Sequence, residues 1–199
     1  MVGARQPFAH RHHLNAHVDG RKALQLLLDG DFVPDTQLAT WRGACERALD
    51  AVEAAFDTHF PASNPLATVR LHGDCHPGNI LWTPTHGPHF VDLDDARTGP
   101  AIQDLWMLLS GERLQQTQAL SAVLDGYEQL RPFDRRELAL IEPLRTLRMI
   151  HYSAWLARRW DDPAFQANFP WFGTADYWHG QVGLINDQIE SMEKAPLQV

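Results

Sequence analysis

Two short stretches gather residues that could do chemistry together: 71–82 reads LHGDCHPGNILW and 90–95 reads FVDLDD. In the first, Asp74 and Asn79 stand five residues apart in a segment that Gly73, Pro77 and Gly78 keep tight and non-helical, so both side chains can converge on one point. Asp92 is expected to reach the same point from the second strand of a hairpin. One amide oxygen with one or two carboxylates suits Mg2+, which keeps several waters and takes its remaining ligands from nucleotide phosphates. With Asn79 and Asp92 given to the metal, Asp74 is left to accept the proton of an attacking hydroxyl. Phosphoryl transfer from ATP asks a protein for those parts: metal ions to bridge the phosphates and a carboxylate to orient the nucleophile.

The elements that must position these residues follow from periodicity. Leu38, Trp41, Cys45, Ala48, Leu49, Val52 and Phe56 recur at three- and four-residue intervals, which predicts a helix from Asp35 or Thr36 to about Phe60, stopped by Pro61 and Pro65. Three runs rich in β-formers follow, TVRL (68–71), NILW (79–82) and HFVDL (89–93), the last two joined by the turn residues of TPTHGP. After Pro100 the pattern is helical: Ile102 to Leu109, about Gln116 to Leu130, and a long segment opened by DRRE, where Asp134 and Glu137 fit a capping box. Pro143 is expected to kink that segment, and Leu144, Leu147, Met149, Ile150, Tyr152, Trp155, Leu156 and Trp160 continue its apolar stripe. A last helix, Thr174 to about Met192, would bury Trp178, Val182, Ile185 and Ile189. The expected fold is mainly α with a small β-hairpin insert, one domain over 1–199, irregular over 1–20, with the polar residues at 68–95 and helices over 100–195.

Composition sets limits on function. At 44% hydrophobic with nine Phe and seven Trp, the chain has the material for a folded core. It has no apolar run of membrane-spanning length, and its first 20 residues lack the apolar centre of a secretory signal, so no membrane partner and a cytoplasmic location are expected. A formal net charge of −8 argues against nucleic acid as a partner, since Arg135, Arg136, Arg158 and Arg159 do not make a concentrated basic face. His10, His12, His13 and His17 lack supporting carboxylates at metal-ligand spacing and read as a solvated stretch. Cys45 and Cys75 have no CxxC spacing and read as reduced thiols, Cys75 as a filler beside Asp74 rather than a nucleophile.

The order of these residues parallels protein kinases, in which a catalytic Asp, an Asn five residues later and a strand leading to a metal-binding Asp recur as H-R-D-x-x-x-x-N and D-F-G. HGDxHxxN followed by VDLDD resembles the aminoglycoside phosphotransferase and choline kinase superfamily. The longer run LHGDCHPGNILW…FVDLDDARTGPAIQDLWMLLSG and the later LIEPLRTLRMIHYSAWLARRWDDPAFQANFPWF resemble its bacterial stress-response serine/threonine kinase branch. The resemblance implies the C-terminal, large lobe of a protein-kinase-like fold. It implies Asp74 as base, Asn79 and Asp92 as magnesium ligands, His76 facing the transferred phosphate, His72 supporting the loop backbone and Asp104 bracing the loop from a helix. Asp94 and Asp95 are open between a metal contact and a cap, with the cap favoured for Asp95.

Such a kinase also needs a glycine-rich loop and a strand lysine to clamp the nucleotide. The only lysines here are Lys22 and Lys194, and no GxGxxG precedes Lys22. The N-terminal lobe is therefore expected to be absent, the 199-residue chain to have little or no kinase activity, and its exposed lobe-facing surface to favour a homodimer. Two other functions fit the same residues: a kinase whose acceptor is a small-molecule hydroxyl (aminoglycoside, choline or homoserine type), and a non-catalytic binding module. In the leading reading the acceptor is a protein Ser/Thr hydroxyl.

Overall fold

The computed structural model describes Phe8 and residues 10–199. Among the described residues seven α-helices and four short strands follow in the order α1 (Ala16–Asp29), α2 (Asp35–His59), β1 (Val69–Leu71), β2 (Ile80–Thr83), β3 (Gly87–Phe90), β4 (Arg97–Gly99), α3 (Ile102–Leu105), α4 (Arg113–Glu128), α5 (Ile141–Ala157), α6 (Pro163–Asn168) and α7 (Ala175–Met192). The expected class, mainly α with a small β insert, is what forms. The chain divides into two compact units, one made of residues 1–14, 59–141 and 196–199, the other of 15–58 and 142–195.

The second unit is helical. Its core contains Trp41, Ala44, Cys45, Ala48, Leu49 and Val52 of α2, Leu144, Leu147 and Ile150 of α5, and Trp178 and Ile185 of α7. Trp41 and Trp178 meet edge to face, ring centres 5.0 Å apart. Thr174 caps α7 by accepting the N–H of Tyr177. Pro143 does not kink α5, because it lies in that helix's first turn, where a missing N–H leaves no bond unmade. α6, which the periodicity did not predict, starts from Asp162, whose carboxylate accepts the N–H of Ala164, with Pro163 at the first helical position.

The irregular stretch expected over 1–20 is shorter than that. Residues 1–7 and 9 lie outside the described residues, and α1 begins at Ala16 because Asn15 accepts the N–H of His17 while its own N–H goes to Asp19. Before it, the backbone at 12–14 runs beside β4: the Leu14 N–H donates to the Thr98 carbonyl at 2.8 Å, and the Thr98 N–H to His12 at 3.0 Å. This tether belongs to the first unit.

That unit has two antiparallel ladders rather than one. β2 and β3 form the expected hairpin, Ile80 opposite Phe90. β1 pairs with β4, Val69 opposite Gly99 and Leu71 opposite Arg97, so the ends of the 72–96 segment are brought together. β4 contains Gly and lacks an apolar run, which is why no strand was visible there. The helix expected from Ile102 to Leu109 is α3 followed by a 3-10 turn over Trp106–Leu108. The DRRE segment opens as a 3-10 turn, Arg135–Leu140, in which Asp134 does cap by accepting the Arg136 N–H. Glu137 does not complete the box: it is 4% exposed, and its Oε2 accepts the N–H of Ile102 at 2.9 Å.

Two predictions follow from packing and burial. A Cβ on Gly20 of α1 would run into the side-chain ends of Leu49 and Leu147, both buried. Gly20→Val should therefore lower stability by about 1–3 kcal/mol, read from the urea midpoint, although glycine is the poorer helix former. Burial also pushes the Glu137 carboxyl up to about 7, with Asp134 adding to the rise and the backbone bonds opposing it. The unfolded chain thus releases this proton at lower pH than the folded one, so stability should fall from about pH 4.5 to about pH 7 and then level off, by on the order of 3 kcal/mol. Denaturation midpoints across that range check it, and Glu137→Gln should flatten the slope.

Candidate phosphotransfer site

β1 delivers the chain to His72, Gly73 and Asp74, and the first fixed point is the pair of amides at its end. Asp104 of α3 accepts the His72 N–H through Oδ2 at 2.7 Å and the Gly73 N–H through Oδ1 at 2.9 Å. One carboxylate thus holds two consecutive N–H groups, which sets the direction in which the loop leaves the strand. Burial pushes the Asp104 carboxyl above its usual range, and the bonds from Gly73 and His72 pull it back.

Gly73 has φ +88°, and a Cβ there would collide with the Asp95 carbonyl. Glycine is thus required twice, for backbone angle and for space. Asp95 ends this contact region by pairing with Arg97, which donates from Nε to the Asp95 carbonyl and from Nη2 to its carboxylate, both at 2.8 Å. The Asp95 carboxylate is thus engaged by Arg97 rather than by the turn amide it was expected to cap.

His72 is buried and works as a two-ended spacer. Its Nδ1 accepts the Asp74 N–H at 3.3 Å, so the proton sits on Nε2, which donates to the Val91 carbonyl at 2.8 Å. The neutral ring thereby joins the loop to the segment after β3. Val91 is held at its other end too, its N–H donating to the Asn79 carbonyl at 3.0 Å.

Asp74 and Asn79 come together as expected: Asn79 Nδ2 donates to the Asp74 carbonyl at 3.0 Å and reaches its Oδ2 at 3.4 Å. This orients the amide and turns its Oδ1 away as an acceptor. His76 does more locally than expected, since its Nδ1 accepts the Gly78 N–H at 3.0 Å, capping the 3-10 turn Pro77–Asn79, while its Nε2 lies 3.6 Å from Asp74 Oδ2. Cys75 between them is 7% exposed, and burial, then Asp104 and Asp74, push its thiol up to about 11, which disfavours the thiolate a nucleophile would need.

Asp92 differs from expectation in its backbone. β3 ends at Phe90, and Asp92 lies two residues further on with φ +60°, a left-handed conformation that Asp tolerates better than most side chains. Its exposed carboxylate has no hydrogen-bond or ion-pair partner among the described residues, while the residue before it is tied to both His72 and Asn79. Among the described residues no group of three or more His, Cys, Asp or Glu side chains is arranged as a metal site. Asn79 and Asp92 offer one amide oxygen and one carboxylate, donor types compatible with Mg2+. The contributions not foreseen are the backbone links through Val91 and the Arg97–Asp95 pair; an Arg two residues after an Asp was the only signal for the second, and the first left none.

Residues 4–141 match the family model described as phosphotransferase enzyme family. The chain belongs to the phosphotransferase enzyme family. Its relatives within curated proteins include the serine/threonine protein kinase RdoA of Salmonella typhimurium strain LT2, 45% identical, and the stress response kinase A of Escherichia coli strain K12, 43% identical, each over all 199 residues of this chain. The chain spans 58% of the length of those relatives. The matched stretch includes every loop residue described above.

The geometry predicts a severe effect from a single methyl group. Gly73→Ala should cost several kcal/mol of local order, since it combines a backbone clash with a left-handed φ. Hydrogen exchange should show the His72 and Asp74 amides losing protection while the α2 and α7 amides keep theirs.

Proposed function

We propose that this chain carries the catalytic loop of a Mg-ATP-dependent phosphotransferase that moves the γ-phosphate of ATP to Ser/Thr hydroxyls of proteins. The observation that carries the reading is the Asn79 amide, locked by its bond to Asp74 so that its oxygen faces away from the base. Asp74 accepts or orients the proton of the acceptor hydroxyl; the new bond forms between that oxygen and the γ-phosphorus as the bond to the ADP oxygen breaks. Asn79 and Asp92 would hold Mg2+, whose chemistry is to neutralise charge on the phosphate oxygens. His72, neutral and bonded at both nitrogens, sets the distance between base and metal ligands. His76, whose Nε2 lies beside the Asp74 carboxylate, would face the transferred phosphate.

The protein acceptor is supported by the names of the relatives, a serine/threonine protein kinase among them. Nucleotide clamping finds less support within this chain: Lys22 lies inside α1 and Lys194 beyond α7, neither on a strand. We therefore expect the 199-residue chain alone to transfer phosphate slowly, because misalignment of the γ-phosphate costs on the order of several kcal/mol.

Transfer of labelled phosphate to a generic protein substrate and to a panel of small alcohols tests both statements. A version supplied with a nucleotide-clamping lobe that carries a glycine-rich loop and a strand lysine should outpace the 199-residue chain. Within it, Asp74→Asn should lower kcat by about 10²–10⁴-fold with little change in nucleotide affinity, and Asp92→Asn should remove the magnesium dependence of binding. Undiminished turnover in Asp74→Asn would refute the assignment of the base, and labelling of the alcohols alone would replace the protein acceptor by a small one.

A further inference from the structure

Glu137 belongs to the unit that holds the loop, yet the chemistry above makes no use of it. It sits in the 3-10 turn 135–140, which packs against α3, and its carboxylate accepts the N–H of Ile102 at 2.9 Å as well as that of Ala101. Helix ends are ordinarily capped by a neighbouring Ser, Thr, Asp or Asn, whereas the residue before α3 is Ala101, which caps nothing, and the acceptor comes from 35 positions away. Two residues beyond Ile102 is Asp104, whose two oxygens hold the His72 and Gly73 amides. The contacts run unbroken from Glu137 through one short helical turn to the start of the loop.

We propose that Glu137 is a positioning residue for the phosphotransfer loop, fixing the amide end of α3 and thereby the place from which Asp104 grips His72 and Gly73. Its consequence for catalysis rests on the function proposed above; the mechanical coupling does not. The coupling is also sensitive to pH. Burial pushes the carboxyl of Glu137 up to about 7, Asp134 raising it further and Arg131 opposing. Tyr127 of α4 and Arg136 also lie within its field, and from α3 it meets backbone amides. Near neutral pH the brace therefore passes between a neutral carboxyl and a carboxylate, the stronger acceptor.

The test is the amide spectrum of the isotope-labelled 199-residue chain followed from mildly acidic to mildly alkaline pH. Ala101, Ile102, His72 and Gly73 should move together with a midpoint of about 7, and in Glu137→Gln this shared titration should vanish. Glu137→Asp, which keeps the acid and shortens its reach by one methylene, should speed amide exchange at His72 and Gly73 by an order of magnitude or more. If His72 and Gly73 stay still while Ala101 and Ile102 titrate, or titrate unchanged in Glu137→Gln, the proposal is wrong. The wild-type titration decides the matter even if a variant fails to fold. Because the readout is loop backbone, an intact titration in a chain without phosphotransfer would overturn only the functional reading.

Discussion

The site depends on one carboxylate gripping two neighbouring amides. Asp104 takes the N–H groups of His72 and Gly73, and everything the loop does afterwards follows from the direction that grip imposes. Buried acceptors of this kind are effective because the amides they satisfy would otherwise be desolvated without partners. The grip works only because Gly73 can enter a left-handed conformation against the Asp95 backbone, and only because β1 and β4 close the 72–96 segment at its base. A loop closed by its own ladder has lost much of its conformational entropy before any side chain is placed. What remains is to hold the two ends of the segment at a set separation, which the neutral His72 ring does between Asp74 and Val91.

Backbone conformation at the two acidic ends of the site is unequal. Asp74 is held by neighbours on both sides, whereas Asp92 adopts φ +60° outside a strand, with its carboxylate in solvent. A non-glycine residue in that region costs of order 1 kcal/mol or more, and such strain persists where surroundings over-determine it. The surroundings are visible here: the Val91 N–H and C=O are both committed, to Asn79 and His72, which fixes the peptide from which Asp92 starts. The strain is thus a by-product of anchoring the preceding residue.

How much of this could be read from the residues depended on the range of the interaction. The meeting of Asp74 and Asn79, the brace from Asp104, the backbone role of His72 and the inertness of Cys75 were all legible, because each rests on residue type at fixed short spacing or on a pattern shared with kinases. The start of α1 at Asn15, the β1–β4 ladder and the fate of Glu137 were not. Asn15 was a cap in plain view, obscured by a polar, His-rich neighbourhood. β4 is three residues with one glycine, too short to show a period, and it exists because β1 and residues 12–14 bond to it from far away in sequence. Glu137 looked like half of a capping box because local spacing favoured that bond; a buried pair of amides at Ala101 and Ile102 competed for the same carboxylate and won.

Charge explains why a divalent cation belongs in the proposed reaction. Residues 92–95 contribute three acids within four positions, and two cations that reach this segment are already used: Arg97 is bound to Asp95, and the Arg11 guanidinium to the Asp94 carbonyl. A triphosphate brought beside this segment would meet net negative potential, and unscreened repulsion between such groups at contact distance amounts to several kcal/mol at the effective dielectric of a protein surface. In the proposed reaction Asn79 and Asp92 would hold the cation, and the charge it would supply there would offset the repulsion between this acidic cluster and a phosphate.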